Sequence, residues 1–146
     1  MNLSKNFTLE ELTRTNLTLP NIPSESEKAK LAELVNGLLQ PLRDKWGKPI
    51  NVTSGFRSSA VNKEQGGSIK PLSQHCKGEA ADLETDDNAH LFHLICEHFD
   101  FDQLIWESGN DLQPDWVHVS YKTKGNRKQV LRMTVVKGKK RYTVIS

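Results

Sequence analysis

A chain of 146 residues has room for one domain around a single modest core, and not for two ordinary ones. Its 36% hydrophobic and 26% charged residues, with no apolar run long enough to span a bilayer, exclude a disordered chain and a helical membrane protein. The net charge of +2 conceals a division: residues 1–121 hold 18 acids against 11 lysines and arginines, whereas residues 122–146 hold nine lysines and arginines and no acid.

The N-terminal stretch MNLSKNFTLEEL has neither an apolar signal segment nor a small-residue cleavage site, so synthesis in the cytoplasm without a signal peptide is expected. Thr8 with Glu11 three residues on is a capping-box pattern and predicts a helix start. NLTLPNIPSES breaks that helix with two prolines and ends in a second cap signal, Ser24 with Glu27. From there Leu31, Leu34, Val35, Leu38, Leu39 and Leu42 recur at three- and four-residue spacing. This is one face of an amphipathic helix running to about Trp46, bent near Pro41 and stopped by GKP. INVTSGFR, rich in β-branched residues, predicts a strand ending in a turn, and SSAVNKEQGG a short helix closed by its glycines. GEAADLE reads as a strand after a loop carrying His75, and NAHLFHLICEHF as a helix. FDQLIWE and DWVHVSY are strands separated by the turn-rich SGNDLQP, and a hairpin at about 128–146 turns through KGKK. Helices come first and then mostly strands, without regular βαβ alternation. The expected class is α+β: one domain over 1–146, with N-terminal helices packed on a small, mostly antiparallel sheet.

The basic tail could attract an anionic polymer or simply guard an exposed strand edge. Aromatic residues for base stacking are nearly absent from it, so nucleic acid is not expected as a partner, while contact with an anionic cell envelope stays open.

Candidate chemistry narrows quickly. Cys76 and Cys96 are the only cysteines and neither belongs to a CxxC pair, so neither a disulfide framework nor a four-cysteine zinc site is implied. Cys76, although beside His75, reads as a small half-buried side chain rather than a ligand. His90, His93 and His98 fall on one amphipathic helix and read as surface histidines. His118 differs: in DWVHVSY, Val117 and Val119 share one strand face and the histidine is displayed from the other. Asp82 lies inside the small, apolar AADLE strand, where an unpaired carboxylate would be costly. Gly78 allows the chain to reverse so that His75 and Asp82 converge. Two histidines and one aspartate make a three-ligand zinc site with its fourth position open, the composition of catalytic rather than structural zinc.

Four segments, SGFRSSAVNKEQGG, SQHCKGEAADLE, FDQLIWE and DWVHVS, occur in that order. Together they resemble the zinc D-alanyl-D-alanine carboxypeptidase family, the M15 peptidases that share a zinc-bearing core with hedgehog signalling domains. The likeness covers roughly residues 5–133 and is greatest to the compact branch common in phages and prophages. The resemblance implies one Zn2+ ion held by His75, Asp82 and His118. It implies Arg57 as a contact for a substrate carboxylate or carbonyl, and Ser73 as a hydrogen-bonding residue of the pocket unless it only caps its loop. It points to Asp115, three residues before the last ligand, as the general base. Residues 115 and 118 of a regular strand face opposite sides, so that role requires Pro114 and Asp115 to lie in a turn. Glu107, closing FDQLIWE, is the alternative. The implied activity is hydrolysis of a peptide bond in peptidoglycan stem peptides, D-Ala-D-Ala or an L-Ala-D-Glu type, by a monomeric enzyme. It would reach the wall by holin-type release or within a phage particle. A cytoplasmic D-Ala-D-Ala dipeptidase and a non-catalytic wall-binding module are the alternatives.

Overall fold

The protein, described over residues 1–145 by a computed structural model, is an α+β domain whose helices cover one face of a six-stranded sheet. Helix α1 (Leu9–Thr13) starts at Thr8 and α2 (Glu25–Leu34) at Ser24, each through the expected capping box with Glu11 and Glu27. The helix carrying α2 onward is continuous but widens into a π turn at Val35–Leu39 before α3 (Gln40–Trp46). The Gln40 N–H reaches back to the Val35 carbonyl. Pro41, one residue on, has no N–H to donate and its ring crowds the carbonyl four residues earlier, and the π turn carries the helix past that point. Gly47, in the left-handed conformation, ends α3.

Strand β1 (Asn51–Ser54), α4 (Ser59–Glu64), β2 (Ala80–Glu84), α5 (Asn88–His98), β3 (Gln103–Glu107), β4 (Trp116–Ser120), β5 (Gln129–Val136) and β6 (Lys139–Val144) follow. The strand order is β1-β2-β4-β3-β5-β6. All pairs are antiparallel except β3 with β5, which run parallel, so the sheet is mixed. The β5–β6 turn is Lys137–Gly138, both at positive φ, the geometry of a tight hairpin.

Period-two alternation sorts the two faces. Ala81, Leu83, Leu104, Trp106, Val117, Val119 and Val130 point towards the helices and form the core with Leu31, Leu34, Leu38, Leu42, Leu91 and Ile95. The opposite face carries Asp82, His118, Ile105, Glu107, Leu131 and Met133. Asp82, Glu107 and His118 therefore stand on a platform of strands, the sheet's open face, rather than on loops.

Asp102, fully buried just before β3, fastens the chain around that platform. It accepts hydrogen bonds from Arg127 Nε at 3.0 Å and Nη2 at 2.8 Å, from the Arg127 N–H at 3.0 Å and from Gln74 Nε2 at 2.9 Å. The Arg127 bonds outweigh burial and hold its pKa at about 2. A carboxylate held below its unfolded value of 3.8 stabilises the fold above that pH, and the contribution is lost as pH falls through about 2. The linkage is worth about 2 kcal/mol at most, and less in salt because Arg127 is half exposed. Urea denaturation should therefore find Asp102→Asn less stable than the parent at pH 7, with a smaller further loss on acidification to pH 2.5. Equal acid sensitivity in the two proteins would refute this account.

Candidate metal centre

The site is assembled from neighbouring strands and one turn. β2 and β4 pair so that Asp82 lies directly opposite His118, and their flanking residues Ala81, Leu83, Val117 and Val119 are anchored in the core behind them. Opposed residues on one sheet face hold their Cβ atoms close, so the pairing alone brings this carboxylate and imidazole together. His75 arrives from a 3₁₀ turn (Gln74–Lys77) just ahead of β2. Gly78 ends that turn at φ 76°, and a Cβ there would sit 2.6 Å from the Glu27 carbonyl oxygen. Glycine thus answers both a left-handed backbone and a close approach of α2. Ser73 caps the turn, its Oγ accepting from the His75 N–H at 3.2 Å.

The His75 ring is oriented by a carbonyl: Nδ1 lies 2.7 Å from Gly55 O. An Nδ1–H donating there fixes the tautomer and leaves the Nε2 lone pair for a ligand. Gly55 is itself pressed against α1, where a Cβ would meet Leu12 O at 2.4 Å. His75 Nε2 is 3.4 Å and His118 Nδ1 3.0 Å from Asp82 Oδ1, and the three donors all lie within 4.8 Å of one another. Donors about 2.0–2.1 Å from a tetrahedral zinc stand roughly 3.4 Å apart, so the set fits such an ion. Among the described residues it is the one group of this kind, and Cys76, buried with its thiol pushed up by that burial, is not part of it.

Asp82 is buried, and burial alone would raise its pKa. The charge and hydrogen bonds of His75 and His118 overcome this and hold the carboxyl well below the usual range. Its second oxygen receives Arg57 Nη2 at 3.2 Å, while Arg57 Nε donates to Ser54 Oγ at 3.0 Å. Arg57 thereby braces the carboxylate with Oδ1 turned to the imidazoles. It also borders a polar cavity of about 230 Å³ shared with Arg14, Asn16, Thr53 and Ser54.

The two candidate bases part company. Asp115 precedes β4, is exposed, and its N–H bonds the Glu107 carbonyl at 2.8 Å. Glu107 is buried, 6% exposed, on the His118 face of the sheet. Burial pushes its pKa up to about 7, the neighbouring Asp82 charge adding to the rise and His118 opposing it. His90, His93 and His98 are exposed on α5, as expected.

The profile of the family described as Peptidase M15 matches residues 5–120. The chain belongs to the peptidase M15 family. A search of curated proteins gives no match. M15 peptidases are in general zinc-dependent, and in this one His75, Asp82 and His118 are the residues that could hold the ion. Three features around these residues went unread in the sequence. The Asp102–Gln74 tie beside His75 depends on a contact across 28 positions. Arg14 shares a cavity with Arg57 although one follows a helix and the other a strand. The burial of Glu107 follows from pairing on both sides of β3; a glutamate two residues after Ile105 on an apolar strand was the only local signal.

Proposed function

We propose that this M15 family member is a zinc-dependent peptidase that hydrolyses peptide bonds in peptidoglycan stem peptides, either the terminal D-Ala-D-Ala bond or an L-Ala-D-Glu type bond. The observation that carries the reading is Glu107: a buried carboxylate of raised pKa on the same sheet face as a convergent His75, Asp82 and His118. A group with a pKa near neutrality can both take and return a proton under working conditions. Glu107 is the general base in this reading, accepting a proton from the attacking water and passing it to the leaving amine. Asp115, exposed and outside the strand, lacks the burial that raises the Glu107 pKa. Zinc held by the two imidazoles and Asp82 would polarise the scissile carbonyl and make water nucleophilic near neutral pH. Arg57 orients Asp82, and with Arg14 it gives the adjoining cavity two guanidinium groups suited to a peptide carboxylate. Ser73 acts through His75, whose turn it caps.

The deciding experiment is digestion of purified peptidoglycan, with and without a chelator, followed by mass analysis of the released fragments. Loss of a terminal alanine or of a stem peptide, abolished by the chelator and restored by zinc, is expected. Activity confined to free D-Ala-D-Ala would indicate a dipeptidase instead, and binding without release a non-catalytic module.

A further inference from the structure

The platform continues past the site. β5 pairs with β3 so that Met133 lies beside Glu107, and β6 pairs with β5 so that Tyr142 lies beside Met133. Glu107, Met133 and Tyr142 thus form one row across three strands, on the face that also presents His118. In the neighbouring row, Val144 follows Leu131 and Ile105 outward from His118. Lys140, two residues before Tyr142, shares this face, whereas Lys139 and Arg141 point to the other. Met133 and Leu131 are buried, but Tyr142 is 51% and Val144 63% exposed. An aromatic and an aliphatic side chain are therefore left open on the face of the reacting groups, two strands beyond Glu107, with a cation next to them. The hairpin lies wholly outside residues 5–120, the segment matched by the family.

We infer that the β5–β6 hairpin is a substrate-binding element, in which Tyr142 and Val144 form an apolar shelf and Lys140 a cationic contact for the part of an acidic peptide that lies on the Glu107 side of the scissile bond. The inference rests on the peptidase reading of the same site. The arginine cavity at Arg14 and Arg57 borders the far, β1 side of the metal ligands, so an extended peptide crossing them runs onto the hairpin. The field of the site reaches the shelf: burial and then the charges of Glu107 and Asp82 raise the Tyr142 phenol, and Lys140 draws Glu107 down. A ring stacked on Met133 merely to shield it would need no adjacent cation and would make no contact with substrate.

The test uses the zinc-loaded full chain and a synthetic stem pentapeptide, together with the same peptide amidated at its internal acidic carboxylate. Kinetics are measured on Tyr142→Ala, Tyr142→Phe and Lys140→Ala, and peptide affinity by calorimetry with the same substitutions in a Glu107→Gln background. Lys140 is exposed, so its variant reports even if Tyr142→Ala fails to fold. Tyr142→Ala should raise KM for both peptides about tenfold with kcat within about threefold, and Tyr142→Phe should restore it. Lys140→Ala should weaken binding of the acidic peptide about fivefold and leave the amidated one unchanged. KM and affinity within twofold of the parent in both Ala variants would overturn the inference while leaving the peptidase reading intact. Peptide binding that depends on the hairpin without cleavage would do the reverse.

Discussion

Replacing Glu107 by glutamine should abolish turnover and at the same time make the metal-free protein more stable at pH 8. Glutamine keeps the shape of the side chain but can neither accept a proton nor carry a charge, so loss of a general base costs on the order of a hundred- to ten-thousandfold in kcat. The stability change follows from the sign of the shift. The carboxyl titrates at about 7 in the fold against 4.5 in the unfolded chain. Its favourable contribution is fully present below the unfolded value and is lost as pH rises through the folded one. At pH 8 the buried charge therefore costs about 3 kcal/mol, which the neutral amide removes, whereas below pH 4.5 the two proteins should be nearly equal. Urea denaturation of chelator-treated protein at both pH values, beside a peptidase assay, measures both halves. Asp115→Asn should keep its turnover within about threefold. An active Glu107→Gln with an inactive Asp115→Asn would move the proton transfer to Asp115.

Asp82→Asn should remove zinc binding and destabilise the apo protein together. Loss of a group that only orients a ligand costs about ten- to a hundredfold in metal affinity, so loss of a donor should exceed a hundredfold. Asp82 also neutralises Arg57, which is only 15% exposed. Breaking such a pair from one side costs about 3–5 kcal/mol, because the guanidinium is left without its partner. Zinc titration calorimetry and urea denaturation of the same preparation report the two effects separately. Unchanged zinc affinity would mean that the ion sits elsewhere.

Much of this was legible in the sequence where the signal is local. The capping boxes at Thr8 and Ser24 fixed two helix starts because each is a contact between residues three apart. Val117 and Val119 flanking His118 disclosed its face, because alternation is a property of one strand. What stayed hidden depends on pairing between distant strands. Nothing in FDQLIWE says that β5 will lie parallel to β3, yet that pairing buries Glu107 and brings Tyr142 into line with it. The resemblance singled out Asp115 by its spacing from His118, but spacing does not encode that Asp115 is exposed before β4 while Glu107 is buried on β3. Pro41 signalled a disturbed helix, but not its form, a π turn over Val35–Leu39 with Val35, Leu38 and Leu39 buried in the core.

The two margins of the sheet behave differently towards another copy of the protein. β1 offers four residues with an irregular register, too short and uneven a template for a visiting strand. β6 is longer and open, but carries Lys139, Lys140 and Arg141 in succession. Pairing a second β6 against it would gather the three cations of each copy along one seam, so the margin that most invites self-association also repels it, and dissolved salt is what would weaken that repulsion.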